Sequence, residues 1–376
     1  MKIFIGAGEE SSDFLGAAVI KALQKRFPDL QFIGICGDKM EAVGHFKSLF
    51  PLHELSLMGV FEILPKLIKI FRRMKQTRDF ILMEKPDLVL SIDAGMFYFR
   101  LHKKLKRKDK NILLMHLNAP SVWAHHPGRA KMVSKFLSHL FTLFPFEPPY
   151  FTRHGLPTTF VGHPLTTETF EETPLLLPKN ILPITVLFGS RSLEIHMLSD
   201  LFIEACVNLQ REEKNLYLLI PTFPRFKDIL EKKLKATPLS YQFLTPSQKW
   251  KAFHLSKAAL AASGTVALEL AKAKLPFTIA YKFGFLTGLA AKLFLKTPYV
   301  CLVNILLQKP IIKEILQDNL TAQNLTLEMK RLIHLTSIER ETFKKDLHEA
   351  YQKLQSPQGD AAQMIADVIE SHLHKI

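Results

Sequence analysis

Asp93 stands directly after an apolar run, residues 86–92, with the composition of a buried β-strand. Ligands of open parallel α/β sheets bind beyond the carboxyl ends of the strands. A carboxylate at that position can accept a proton from a substrate hydroxyl. We therefore predict that Asp93 is a general base, with a simple helix cap as the alternative interpretation.

The loop after the first apolar run, GAGEESSD (residues 6–13), nearly matches the Gly-x-Gly-x-x-Gly fingerprint of dinucleotide-binding proteins. Ser11 takes the place of the third glycine, and the carboxylates of Glu9 and Glu10 would repel a pyrophosphate from the backbone N–H groups. The loop therefore favours hydrogen bonding to a hydroxylated group. Asp13 also fits the N-terminal cap of the following helix.

Two loops in the second half of the chain each follow an apolar strand, residues 184–188 and 257–262, and precede a helix. Small residues at a helix N-terminus and an arginine fork suit phosphate oxygens. The loop residues are Gly189, Ser190 and Arg191 in the first loop, and Ser263, Gly264 and Thr265 in the second. Glu269, one helical turn later, could hold ribose hydroxyls. Together the loops predict a nucleoside diphosphate site.

Metal and cofactor motifs are absent from the sequence, which has no Asp-x-Asp, no His-Glu-x-x-His and no Walker A loop. Cys36, Cys206 and Cys301 are far apart, without zinc-ligand spacing, which favours a reducing compartment. We predict no metal and no cofactor, and expect helix N-termini and Arg191 to stabilise a diphosphate leaving group.

The segment that follows the apolar run 111–117 contains Trp123 and the neighbouring His125 and His126. Adjacent residues point in different directions on any regular element, so the two histidines do not predict a metal pair. Packing and contact with an acceptor are the expected roles of the segment.

Residues 56–78 form a basic amphipathic stretch with six Lys/Arg and one Glu. One apolar face is predicted to carry Val60, Leu64, Leu67, Phe71 and Met74, and Ile68 is among the apolar residues on the remaining faces. Such a helix suits the interface of an anionic membrane, although packing on the domain's own sheet is the alternative. The segment 282–296 has the same character.

The charge balance of 50 Lys/Arg against 35 Asp/Glu gives a net charge of +15, which suits a polyanionic partner or a basic solvated surface. No uncharged apolar run reaches the roughly 18–20 residues that span a bilayer, and the first residues lack a signal-peptide pattern. The sequence therefore predicts a cytoplasmic protein that can touch a membrane surface.

Short apolar runs alternate with helical patterns, which predicts an α/β fold of two doubly wound, Rossmann-like domains with parallel sheets facing a cleft. The expected domains are residues 1–170 and 171–376, joined by a linker near 166–183. From about residue 337 the pattern is helical, and these terminal helices could cross back onto the first domain. The predicted strands are residues 2–7, 31–36, 86–92, 111–117, 138–144, 158–162, 184–188, 215–221, 241–245, 257–262 and 276–281.

An ordered set of motifs resembles the lipid-A-disaccharide synthase family, inverting glycosyltransferases with the GT-B fold. The matching segments are GEESSDFLGA (8–17), SLMGVFEILPKL (56–67), ID (92–93), PSVWA (120–124), LFPFE (143–147), FVGHP (160–164), GSRSLEI (189–195), SGTVALE (263–269), AYKFGFLTGLAAKLFLKTPYVCLVN (280–304) and KEILQ (313–317).

The resemblance implies that UDP-2,3-diacylglucosamine donates its sugar to 2,3-diacylglucosamine 1-phosphate (lipid X), giving a lipid A disaccharide 1-phosphate and UDP. It implies a reaction at the inner face of the inner membrane. The sequence leaves both a monomer and a homodimer open, and we expect no nucleic-acid partner, because the interleaved aromatic residues of a stacking site are not evident. The matched positions imply Asp93 as base, Arg191 and Asn304 for the donor diphosphate, and Glu269 for the ribose. Glu10, Ser11 and Asp13 lie in the first motif, and His163 lies near the expected hinge.

The chain departs from the family pattern after the aspartate, where Met96 replaces a second carboxylate. Altered acceptor preference is therefore open. The alternatives are a related UDP-sugar 2-epimerase or transferase, a dinucleotide-dependent oxidoreductase, and a non-catalytic protein that binds a membrane surface or nucleic acid.

Overall fold

The computed structural model describes residues 1–55, 63–124, 126–168, 173–282 and 298–374, with the backbone alone for residues 63–67. The chain forms two compact units. The first combines Met1–Pro164 with Leu354–Ile376, and the second is Leu165–Lys353. The division into residues 1–170 and 171–376 stays a prediction about domains.

The first unit is built on a six-stranded sheet in which all neighbours are parallel. Its strands are β1 (Lys2–Gly6), β2 (Gln31–Ile35), β3 (Leu88–Ile92), β4 (Leu113–Leu117), β5 (His139–Thr142) and β6 (Thr158–Phe160). Their order is β2-β1-β3-β4-β5-β6. All five residues of β3 are buried, as expected for an apolar strand covered on both faces. The helices before residue 165 are α1 (Glu10–Gln24), α2 (Asp38–Gly44), α3 (Ile63–Glu84), α4 (Gly95–Lys108), α5 (Gly128–Val133) and α6 (Pro148–Thr152).

The second unit repeats this plan with another six-stranded parallel sheet. Its strands are β7 (Leu182–Leu187), β8 (Leu216–Pro221), β9 (Ser240–Leu244), β10 (Ala259–Ala262), β11 (Phe277–Tyr281) and β12 (Glu314–Leu316). Their order is β12-β11-β10-β7-β8-β9. The described helices are α7 (Ser192–Glu212), α8 (Pro224–Leu234), α9 (Lys249–Leu255), α10 (Val266–Lys272), α11 (Leu302–Leu307), α12 (Ala322–Ile333) and α13 (Ser337–Gln352).

The last described helix, α14 (Ala361–Leu373), belongs to the first unit and packs against α1. Asp360 caps its N-terminus by accepting a hydrogen bond from the backbone N–H of Ala362 at 2.8 Å. Ile365 and Ile369 are completely buried in the core of that unit. Burial of these side chains is the main force that returns the chain to the first sheet.

The eleven predicted strands are all present, in the predicted order, with ends that differ by one or two residues. Strand β12 was not predicted, because three residues that include Glu314 give no apolar run. The linker predicted near residues 166–183 ends earlier than expected, because β7 already begins at Leu182. Pro183 is tolerated there because β10 pairs with β7 only from Thr185 onwards, so this part of β7 has β8 as its one ladder partner.

Helix α3 presents a different face to the core from the one that the apolar pattern indicates. Ile70 and Met74 are buried, with Ile81 two turns later, whereas Phe71 is 51% exposed and Ile68 is 72% exposed. The predicted apolar face is therefore offset by part of a turn: Met74 packs in the core, Phe71 lies at the exposed edge of this face, and Ile70, one helical turn before Met74, takes the core position. No helix in the described ranges is long and apolar enough to cross a membrane.

Each sheet has one topological switch point, where successive crossovers leave in opposite directions. In the first unit it lies between β1 and β3, and in the second between β7 and β10. The carboxyl ends of strands beside such a point form the usual binding crevice of doubly wound sheets. The loop after β1 and Asp93 meet at the first point, and the two small-residue loops meet at the second.

Candidate active site

The carboxylate of Asp93 lies at the switch point of the first sheet and binds two side chains from neighbouring strand ends. Its Oδ2 accepts a hydrogen bond from the Ser12 hydroxyl at 2.5 Å, and its Oδ1 accepts one from the side-chain amide of Asn118. Ser12 lies in the first turn of α1, and Asn118 follows β4 directly. Because a carboxylate oxygen has two acceptor positions, each oxygen keeps one for a substrate hydroxyl.

The backbone around this carboxylate is left-handed at three residues that are not glycine. The φ angles are 61° at Asp93, 43° at Ala94 and 83° at Asn118. Such conformations cost free energy and are found most often where function requires them. Gly8 permits the close approach of the first loop, since a Cβ there would lie 2.6 Å from the Cβ of Ala94. The close packing of the first loop against Ala94 thus explains the second glycine of the Gly-x-Gly pattern.

The first loop contributes a different serine from the predicted one. Ser11 is exposed and donates to Glu9 Oε1 at 3.1 Å, whereas Ser12 is 1% exposed and contacts Asp93. Glu10 is exposed at the start of α1. Asp13 is buried and accepts hydrogen bonds from the backbone N–H groups of residues 37, 39 and 40. Asp13 therefore caps α2, and its predicted role as the cap of α1 is wrong.

Three buried polar side chains form a chain of hydrogen bonds behind Asn118. His116 Nε2 lies 3.1 Å from the carbonyl oxygen of Asn118, which can only accept, so Nε2 carries the proton. His116 Nδ1 then accepts from the Ser91 hydroxyl at 2.7 Å, and Ser91 accepts from His102 Nε2 at 3.2 Å. Burial lowers the pKa of His116 to about 3 and holds the pKa of His102 well below its usual range, so both rings are neutral. These hydrogen bonds fix the backbone carbonyl of Asn118, the residue whose side chain binds Asp93.

An open cavity of about 610 Å³ adjoins Asp93 and Asn118. Its basic lining residues are Arg100, Lys103 and Arg129, and its large apolar ones are Met96, Phe99, Met132 and Phe136. Met96 is 66% exposed. The cavity therefore has a carboxylate that can bind a hydroxyl, cations that can bind an anion and apolar side chains that can pack on an alkyl chain.

Trp123 and His163 belong to an aromatic cluster with Phe144 and a buried carboxyl, Glu147. The Trp123 indole N–H donates to Glu147 Oε1 at 3.2 Å, and the backbone N–H of Phe144 donates to Oε2 at 3.2 Å. Burial raises the pKa of Glu147 to about 7. The His163 ring lies 5.5 Å from that of Phe144, and burial lowers its pKa to about 4. Sequence reasoning missed Glu147, although the motif LFPFE contains it.

The first loop at the second switch point is held by a carboxylate from its own helix. Gly189 has φ 110°, and Glu194 Oε2 accepts from the backbone N–H groups of Ser190 at 2.9 Å and Arg191 at 3.2 Å. The expectation that this helix N-terminus leaves backbone N–H groups for phosphate oxygens is therefore wrong for Ser190 and Arg191, because Glu194 closes a capping box. The Arg191 side chain is 78% exposed and lies 3.2 Å from Glu194. Arg225, which was not predicted, donates to the Ser190 carbonyl at 3.0 Å.

The second loop lies beside the first, because β7 and β10 are neighbours. Gly264 and Thr265 are exposed and Ser263 is half-buried. Glu269 forms an ion pair with Lys249 at 2.7 Å, so ribose hydroxyls would have to share this carboxylate with a lysine.

Asn304 is completely buried on α11. Its amide donates to the Ile312 carbonyl and to Glu314, both at 2.8 Å, and its oxygen accepts from the Ile312 N–H at 2.8 Å. Both amide hydrogens are thus used within the protein. This arrangement favours a positioning role for Asn304 over direct contact with a diphosphate.

Some predicted lipid contacts lie outside the part of the chain that the structure describes. They are Val60, the side chains of Leu64 and Leu67, and nearly all of the segment 282–296. In the described ranges, no cluster of three or more His, Cys, Asp or Glu is placed to hold a metal ion.

Solved structures with the same architecture define the fold class. S. aureus MnaA in its complex with UDP is 16% identical, with a TM-score of 0.65, over 100% of this chain and 97% of that chain. The calicheamicin glycosyltransferase CalG4 is 14% identical, with a TM-score of 0.55, over 100% of this chain and 98% of that chain. The protein is therefore of the two-domain GT-B type, and the predicted fold class is confirmed.

The chain belongs to the lipid-A-disaccharide synthetase family, whose model matches residues 3–369. The lipid-A-disaccharide synthase of Rhodospirillum centenum is 40% identical over 90% of this chain and 86% of its own length. The lipid-A-disaccharide synthase of Rickettsia typhi is 35% identical over 97% of this chain and 98% of its own length. The predicted family is confirmed, and with it the class of enzyme, a glycosyltransferase of lipid A biosynthesis. The match decides against the epimerase, oxidoreductase and non-catalytic alternatives.

Proposed function

We propose that the protein transfers the sugar of UDP-2,3-diacylglucosamine to the 6-hydroxyl of 2,3-diacylglucosamine 1-phosphate, with Asp93 as the general base. The observation that carries the assignment is the Asp93 carboxylate, held by Ser12 and Asn118 beside a cavity with basic and apolar lining residues. Family membership supports the two substrates. The acceptor would bind in the first unit and the donor nucleotide in the second.

The chemistry is a single displacement at C1 of the donor sugar. Asp93 accepts the proton of the acceptor hydroxyl while that oxygen bonds to C1. The bond between C1 and the phosphate oxygen of UDP breaks, and UDP leaves with the electron pair. Attack on the face opposite the leaving group inverts C1 and gives the β-linkage.

The leaving diphosphate would be stabilised by positive charge at the second switch point. The Arg191 guanidinium is exposed there, and Arg225 stands against the same loop at the Ser190 carbonyl. Guanidinium groups form strong, directional hydrogen bonds to phosphate oxygens. We propose that these two side chains, with the loop at residues 263–265, perform the function that a metal ion serves in other transferases.

Peripheral contact with the inner face of the inner membrane is part of the proposal. Ile68 and Phe71 are exposed on α3, and the exposed Lys69, Arg72 and Lys75 lie along the same helix. Exposed apolar side chains beside basic ones favour binding in the interface of an anionic bilayer.

The test is release of UDP from UDP-2,3-diacylglucosamine in detergent micelles that contain EDTA, with and without the acceptor. We expect release that requires the acceptor, persists with the chelator and yields a disaccharide by mass spectrometry. Release without acceptor, or a donor epimerised at C2, would contradict the proposal. Activity restored only by added divalent cations would contradict the role given to Arg191 and Arg225.

A further inference from the structure

A groove between α4 and the segment from α5 to Phe136 concentrates positive charge next to the Asp93 cavity. This α4–α5 groove has a volume of about 550 Å³. On the α4 side it is lined by Lys103, Lys106 and Arg107, and on the other side by Lys131 and Lys135. No acidic side chain lines it among the described residues.

Helical spacing explains why so many cations share one surface. Arg100, Lys103 and Arg107 are three and four residues apart on α4, so they project from one face. Arg129 and Met132 are likewise three residues apart on α5. On α4, the positive charges of Arg100, Lys103 and Arg107 therefore share one helix face instead of being scattered around the helix.

These cations lack the carboxylate partners that other basic residues of the same unit have. Arg73 and Lys69 on α3, for example, share Glu54 at 2.7 and 3.2 Å. Among the described residues, none of the groove cations lies in an ion pair; Lys106 donates to the Ile112 carbonyl at 2.9 Å and has the charge of Asp109 nearby. Clustered charges of one sign raise the local concentration of oppositely charged ligands.

The groove opens into the cavity that contains Asp93. Lys103, Met132 and Phe136 line both spaces. Asp93 lies two residues before Gly95, the first residue of α4, and a rise of about 1.5 Å per residue places Arg100 roughly 7.5 Å beyond Gly95 along the helix axis. The acceptor sugar, which carries a hydroxyl on one side and a phosphate on the other, has to span a distance of this order.

We propose that the junction of the groove and the cavity, defined as Lys103, which lines both, with Arg100 and Arg129 of the cavity wall, binds the phosphomonoester of the acceptor while its hydroxyl faces Asp93. The more distant cations, Lys131 and Lys135 among them, draw the anionic acceptor toward the junction. This assignment rests on the proposed function and deepens it. It makes the phosphate a determinant of acceptor choice as well as of affinity.

The test compares kcat/KM for lipid X and for its analogue without the 1-phosphate, in uncharged micelles. Wild type, Lys103→Gln, Arg129→Gln and Lys103→Arg are measured beside Lys25→Gln, which removes an exposed charge elsewhere on the unit. We expect the ratio of the two values to fall about tenfold for each lost charge, the size of a charge-assisted hydrogen bond. For Lys103→Arg the ratio of the two kcat/KM values should stay close to that of wild type, and for Lys25→Gln it should be unchanged.

Binding of glucosamine 1-phosphate, which has no acyl chains, gives a readout that does not need turnover. Weaker binding to Lys103→Gln and Arg129→Gln would support the junction even if no transfer occurred, in which case only the proposed function would fail. An unchanged ratio in an active enzyme would overturn the inference. So would variants that lose only sedimentation with phosphatidylglycerol vesicles, because the groove would then bind lipid headgroups of the membrane.

Discussion

The side-chain amide of Asn118 donates a hydrogen bond to the Asp93 carboxylate, and both residues have left-handed backbone angles. They follow neighbouring parallel strands, β4 and β3. The strained backbone turns both side chains toward the same point at the sheet edge, which gives the carboxylate one orientation before any substrate binds. Pre-organisation of this kind reduces the reorganisation needed during reaction.

Replacement of Asp93 by Asn should lower turnover by about 10²–10⁴-fold, the usual contribution of a general base. Binding of UDP should hardly change, because the side chain belongs to the first unit. Turnover and UDP affinity are measured together, with the exposed Asp29→Asn as the matched control. Near-normal turnover of Asp93→Asn would show that another group accepts the proton.

His116 should act as a positioning residue, because it holds the carbonyl of Asn118. We expect His116→Leu to lower kcat about tenfold, roughly the effect of one lost hydrogen bond, while the KM for the UDP-sugar stays unchanged. His139→Leu is the control, since His139 is also buried but bonds to Thr159 instead. If both variants lost stability alike and also lost kcat alike, His116 would be merely structural.

Part of this site can be predicted from the sequence by simple rules. Asp93 is found because it ends a buried strand, and Asn118 could have been found in the same way, since it ends the next strand of a parallel sheet. Ser12 could not be separated from Ser11, because the phase of α1 at its first turn decides which serine faces inward, and one residue changes the direction by about 100°.

Other features depend on contacts that are distant in sequence or unusual in local chemistry. Asp13 caps α2, some 24 residues away, because the parallel sheet brings α1 and α2 together. The side-chain amide of Asn304 donates both its hydrogens to Ile312 and Glu314 once β12 has formed at the sheet edge. The alternation of apolar runs predicts the layers of the fold, but it carries no information on which polar groups the tertiary structure satisfies internally.

Arg191→Ala should weaken UDP binding about tenfold and lower turnover as well, because it removes a charged donor beside the diphosphate loop. Arg211→Ala, near the other end of α7 and exposed, removes the same charge away from the loop and should have no such effect. Calorimetric titration with UDP measures both variants. Equal affinities would place the diphosphate elsewhere.

The double substitution Ile68→Ser with Phe71→Ser should reduce binding to phosphatidylglycerol vesicles about tenfold, because two apolar side chains no longer enter the interface. Turnover on substrates in detergent micelles should change much less. Ile338→Ser is the control, since Ile338 is 82% exposed on α13. Vesicle sedimentation at two salt concentrations measures the loss, and undiminished binding would assign membrane contact to another surface.

Glu147 should make the stability of the first unit fall as the pH rises from about 4.5 to 7. Burial raises its pKa from 4.5 to about 7, so the folded protein retains a proton that the unfolded chain has released. Loss of that proton costs stability, by about 3 kcal/mol at most from the size of the shift. Glu147→Gln cannot ionise, so its stability relative to wild type should increase between pH 5 and pH 8. Urea unfolding of both proteins across this range measures the difference. A constant difference would mean that Glu147 is already ionised at pH 5, and that Trp123 and Phe144 stabilise the charge despite its burial.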